Sequence, residues 1–143
     1  MRALLLVVAM LSVGGTSART PLPDGSCPVS ASVQDRPPDD PHADSFASPR
    51  AIWYANPQRT MWAWWWGKTY TGAYKVLWVR PAGAKLTVTG HRLDAVAPLV
   101  TADVPEGYPW TFQASGVSFP TPGCWQVDAG ARGETITFVV KIS

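Results

Sequence analysis

From Ala51 to Ile142 the chain reads as eight short apolar-rich runs, each broken off by Gly, Pro or a polar cluster. They fall at 51–55, 61–66, 74–80, 84–92, 99–104, 110–115, 123–129 and 135–142. Several alternate with period two. Ile136, Phe138, Val140 and Ile142 point one way, and Thr135, Thr137 and Lys141 the other. Trp125, Val127 and Ala129 alternate with Gln126 and Asp128, and Leu86 and Val88 with Lys85, Thr87 and Thr89. Such a pattern buries one face of a strand and wets the other. No segment after Ser45 sustains a capped 3.6-residue apolar period, so helices are not expected there. Short strands at near-regular spacing with turn signals between them predict an antiparallel β-sandwich of seven to eight strands. Gly130-Ala131-Arg132-Gly133 predicts a hairpin between the last two, with both Gly available for positive φ.

The N-terminal third is different. Arg2 precedes an apolar run over 3–13, followed by the small residues Gly14, Gly15, Thr16, Ser17 and Ala18. This is the pattern of an export signal over 1–18, cut before Arg19. The run is shorter than the roughly 20 residues a membrane-spanning helix needs. No later stretch is long and apolar enough to anchor the product. The mature chain is therefore expected outside the cytoplasm, secreted or periplasmic, with no membrane anchor. Removing the signal leaves about 125 residues, the length of one domain. Residues 19–48 hold Pro21, Pro23, Pro28, Pro37, Pro38 and Pro41 with Asp24, Asp35, Asp39, Asp40 and Asp44. Proline and aspartate at this density resist both helix and central strand. An irregular tail or linker is expected over 19–48, with the sandwich domain over 49–143.

Two cysteines follow the signal, Cys27 in the tail and Cys124 at the head of the seventh run. An exported pair usually bridges. The bridge would close a loop of about 100 residues and stabilise the fold by about 4 to 5 kcal/mol in the chain-entropy model. Sequence alone leaves two free thiols as the alternative, because it does not show their distance.

Charge and motifs exclude more than they assign. Residues 46–143 carry nine Lys or Arg against five acids, but these are scattered rather than gathered into a basic stripe. Nucleic acid is not an expected partner. His42 and His91 are the only histidines, and neither has the neighbours of a copper or zinc site. No metal and no cofactor is expected. The chain has no Gly-x-Ser-x-Gly and no phosphate-cradling Gly-rich loop before a helix. Asp94, Asp103, Glu106 and Asp128 fall on different runs and turns. A triad of His91, Asp94 and a Ser is conceivable, but nothing marks its nucleophile. The reading is a non-catalytic module.

The sharpest candidate site is aromatic. Trp62, Trp64, Trp65 and Trp66 lie within five residues, with Trp53, Tyr54 and Tyr70 nearby. On a strand Trp62, Trp64 and Trp66 share one face, and Met61, Ala63 and Trp65 the other. If buried, the row is a core floor, because Trp is highly buried on average. If exposed, it is a wide flat surface that could stack sugar rings or grip an apolar partner. The binding reading assigns Trp62, Trp64 and Trp66 as contact residues for an unidentified protein or envelope glycan.

The stretch Phe119-Pro120-Thr121-Pro122-Gly123-Cys124-Trp125-Gln126-Val127, with the strand after it, is the most distinctive local pattern. It resembles the C-terminal end of small uncharacterised exported bacterial proteins with an immunoglobulin-like sandwich. Lys75-Val76-Leu77-Trp78-Val79-Arg80-Pro81 and Leu86-Thr87-Val88-Thr89-Gly90 are similar to the same group. The resemblance spans about 74–143 and implies an immunoglobulin-like fold and export, not a reaction. The expected function is that of an exported all-β module binding a partner or envelope component through an aromatic face. A small extracytoplasmic hydrolase and a purely structural domain are the alternatives.

Overall fold

The computed structural model describes Leu22, residues 26–35, 37–38, 52–68 and 72–143, without the side chains of 66–68. The expected signal over 1–18, most of the tail including His42, and the expected boundary at Pro49 lie outside the described residues. Among the described residues there are eight strands and no helix. The strands are β1 (Ile52–Ala55), β2 (Trp62–Lys68), β3 (Tyr74–Val79), β4 (Thr87–Arg92), β5 (Thr101–Asp103), β6 (Phe112–Ser118), β7 (Gly123–Ala131) and β8 (Glu134–Ile142). Each falls on one of the eight apolar-rich runs.

The strands form two antiparallel sheets, β1-β2-β3-β6-β5 and β4-β7-β8. With β1 set aside, β2-β3-β6-β5 facing β4-β7-β8 is the A-B-E-D and C-F-G order of an immunoglobulin constant-type sandwich. The fold is thus the expected immunoglobulin-like one, with β1 added as an extra strand outside the first. The core lies between the sheets. Trp78 and Val76 from β3, Val117 from β6, Trp125 and Val127 from β7 and Phe138 from β8 are fully buried there. Both fully buried indole N–H groups of this core have an acceptor. Trp78 Nε1 donates to Ser115 Oγ at 2.8 Å and Trp125 Nε1 to the Thr121 carbonyl at 3.1 Å. Without those partners a buried indole N–H would be a net cost.

The β7–β8 hairpin is tighter than the four-residue turn suggests. Both strands run to its tip, leaving Arg132 (φ 49°) and Gly133 (φ 81°) as a two-residue loop. Two positive φ values in succession suit the right-handed strand twist. Gly130 pairs with Thr87 and Thr135 instead of taking the second left-handed position. Gly90 on β4 has another role. A Cβ there would stand 2.6 Å from the Gln126 carbonyl oxygen and 2.9 Å from Val100 Cγ2. Only a hydrogen at that position lets the chain cross from β4 to β5 this closely, with Val100 N donating to the Gly90 carbonyl at 3.0 Å.

The described part of the tail is tied to the sandwich. Cys27 is bonded to Cys124 at the head of β7, with Cα atoms 5.4 Å apart. Both cysteines are thereby consumed. Antibody-type domains bridge two core strands, whereas here one cysteine precedes the sandwich. Ser30 N donates to the Val139 carbonyl at 3.0 Å, and Val139 N donates to Ser30 Oγ at 2.9 Å. Val33 N donates to the Trp53 carbonyl at 2.8 Å and forms an antiparallel bridge with that residue. β8 is one edge of the three-stranded sheet and β1 one edge of the five-stranded sheet. Within a few residues the tail crosses from one edge to the other and satisfies backbone groups on both.

Two stability outcomes are expected. The bond joins positions 97 residues apart. Replacing both cysteines by Ser should lower the unfolding free energy by about 4 kcal/mol in a urea titration. Gly90→Ala should cost about 1 to 3 kcal/mol by overpacking, visible as a lower melting temperature.

Candidate functional site

The aromatic row divides as the alternation predicts, but its wet face is not wet. Met61, Ala63 and Trp65 join the core between the sheets. Trp62 and Trp64 point to the opposite face of the five-stranded sheet, where they are only 3 % and 5 % exposed. They pack there with Trp53, Leu77 and Val79 in a second apolar cluster, and Val33 of the tail packs against it. The Trp53 and Trp64 ring centroids are 5.6 Å apart, and Trp53 meets Trp62 edge-on at 6.4 Å. Trp62 Nε1 donates to the Arg59 carbonyl at 3.0 Å, and the Arg59 guanidinium lies 5.2 Å from the Trp62 ring. Trp62 and Trp64 therefore offer solvent no stacking surface in this structure. Trp66 falls where the β2–β3 register slips, between Trp65 opposite Val76 and Gly67 opposite Lys75, so it has no partner in the ladder. Its side chain lies outside the described residues.

The conceivable triad does not assemble. Arg92 Nε donates to Asp94 Oδ1 at 2.6 Å, and this bond is the largest influence holding the Asp94 carboxyl below its usual range. His91 Nδ1 is instead 3.9 Å from Asp128 Oδ2, on the polar outer face of the three-stranded sheet. Asp128 also accepts from Thr137 Oγ1 at 2.7 Å and from Gln126 Nε2 at 2.9 Å. The Thr137 hydroxyl and the His91 imidazole both meet the carboxylate, so this hydroxyl is not poised on the imidazole as a triad nucleophile would be. Among the described residues no three His, Cys, Asp or Glu side chains gather as a metal site.

A concave site does form at one end of the sandwich. The pairing registers place the β1–β2, β3–β4, β5–β6 and β7–β8 connections all at that end. A cavity of about 400 Å³ opens between the β3–β4 and β5–β6 connections. Leu86, Val104 and Pro105 give it apolar wall, and Arg80, Lys85, Tyr108 and Gln113 give it polar groups. Arg80 holds the site together. It follows the last residue of β3, is 2 % exposed, and donates from Nε to Gln113 Oε1 at 2.7 Å. Nη1 donates to the Pro81 and Trp110 carbonyls, both at 2.9 Å, and Nη2 to the Tyr108 carbonyl at 3.1 Å. Gln113 Nε2 donates in turn to the Pro105 carbonyl at 2.6 Å. One guanidinium thus fixes both connections that line the cavity. Arg132 at the hairpin tip joins the same end through Nη2 to the Ala82 carbonyl at 3.1 Å.

The sequence reading missed this site. Arg80 sits at the end of an apolar run, Val76-Leu77-Trp78-Val79, just before Pro81. A charge at the edge of a buried strand was the available signal. No protein-family model, curated protein or solved structure matches the chain. Its class is the one its fold defines, an immunoglobulin-like β-sandwich stapled by one disulfide.

Replacing Trp64 by Ala tests the buried reading of the aromatic row. A core residue should cost about 3 to 5 kcal/mol in chemical denaturation, whereas an exposed ligand platform should cost under about 0.5 kcal/mol.

Proposed function

We infer that this chain is a non-catalytic binding module working outside the cytoplasm, and that it binds its partner at the loop end of the sandwich. The observation that carries the reading is the clamped cavity. Arg80 fixes two facing connections around a concave space of about 400 Å³. Volumes of that order, with apolar walls and a few convergent polar groups, are typical of small-ligand sites. In immunoglobulin-like sandwiches loops cluster at the ends, and variable domains bind through one such end. That analogy supports the location and says nothing about the ligand. The Cys27–Cys124 bond supports an oxidising compartment. The burial of Trp62 and Trp64 moves the proposed contact surface away from the aromatic row.

Ala102 lines the cavity from β5. Filling the space with Ala102→Leu should weaken capture of glycan or peptide fragments at least tenfold while cooperative melting persists. Amide chemical shifts in 83–86 and 104–108 of the wild type should move with the same fragments. Turnover of an envelope glycan by the purified protein would overturn the non-catalytic reading. Fragment shifts confined to other surfaces would overturn the location.

A further inference from the structure

The cavity carries a charge that its own walls do not neutralise. Arg80 is buried, yet its four bonds go to neutral acceptors, the Gln113 amide oxygen and three backbone carbonyls. Among the described residues no carboxylate pairs with it. The acid that lines the cavity, Glu106, lies 3.6 Å from Lys85, and both side chains are at least 80 % exposed. A loose pair at that exposure compensates little of a buried charge. The remaining charge nearby is positive. Arg132 stands close enough that, after burial itself, its charge is the next influence pulling the Arg80 guanidinium below its ordinary value. Within the cavity lining Arg80 and Lys85 thus stand against one acid, Glu106.

A buried cation left with dipoles alone retains part of its desolvation cost. A low-dielectric concave wall also concentrates its field on whatever enters. We propose that the cavity is a recognition site for a small organic carboxylate, whose anionic end is drawn to the Arg80 side and whose apolar or ring body packs on Leu86, Val104, Pro105 and Tyr108. This rests on the loop-end reading above and adds the ligand's chemical class. The chemistry of the walls favours a carboxylate over a phosphate. Four of the five N–H groups of Arg80 are already engaged, so the site has little of the multiple fixed donation a phosphate demands. One charge and an apolar body match one buried guanidinium and an apolar wall. The carboxylate could belong to a free acid or to the C-terminus of a peptide.

The test pairs isosteres that differ in charge. Benzoate is compared with benzamide, and a short peptide with a free C-terminus is compared with its C-amidated form, by amide chemical shifts on the full disulfide-bonded protein. The charged member of at least one pair should bind tenfold or more tightly than its neutral partner, with shifts in 83–86 and 104–108. The benzoate pair responding alone assigns a free acid, and the peptide pair responding alone assigns a chain terminus. Arg80→Gln should remove the preference. Because that change also removes a clamp, Arg132→Gln is the second variant, which should weaken the charged ligand two- to threefold and leave the neutral one unchanged. Equal binding of charged and neutral members in the cavity overturns the carboxylate proposal and leaves the loop-end reading standing. Shifts from neither pair in those residues overturn the carboxylate proposal, and silence of the glycan fragments there as well overturns the loop-end reading.

Discussion

Burial of β3 on both faces is the constraint from which the rest of the structure follows. Its residues alternate between two apolar environments. Val76 and Trp78 enter the space between the sheets, while Leu77 and Val79 enter the cluster behind. A sandwich sheet normally leaves its outer face to water, so β3 needs neighbours that do not. β2 meets this need with Trp62 and Trp64, β1 with Trp53, and the tail with Val33. The extra strand β1 and the described part of the tail are thus parts of one answer to one problem. They enlarge the three-stranded neighbourhood of β3 into a second, smaller core.

The same strand builds the loop end. Where β3 stops, the next side chain in register is Arg80, and burial continues through it. A guanidinium can be kept inside only if its N–H groups find acceptors, and the β5–β6 connection supplies carbonyls at Tyr108 and Trp110. The shape of that connection and the position of the charge therefore determine each other. The arrangement gives an otherwise exposed loop a fixed geometry through one side chain's hydrogen bonds.

Much of the fold could be read from residue order, because period-two alternation is a local property. β7 and β8 show it without interruption, and the pattern alone puts Trp125, Val127, Ile136, Phe138 and Val140 on the buried face, where they lie. The split of 61–66 into two faces was legible for the same reason. Whether the second face was wet was not, because that depends on Trp53 and Val33, which arrive from elsewhere in the chain. The bulge at Trp66 is likewise a pairing event between β2 and β3 and leaves no mark in β2 itself. The disulfide needed only compartment and count. The cavity was illegible because its walls come from residues 80–86, 102–108 and 113, which meet only after the chain has crossed between the sheets twice.

The strap from Cys27 to Val33 has a consequence for the order in which this molecule can be made. It is synthesised well before its partners on β7 and β8, about a hundred residues further along the chain. Contacts separated so far along a chain form late, since the loop entropy must be lost before they return anything. Until then the β8 edge lacks the backbone partner that Ser30 provides, and unpaired edges invite other chains. Closure of the seam on β7 and β8 is therefore a late step, and the interval before it is when the β8 edge is most exposed to mispairing. Oxidation of one bond ends that interval.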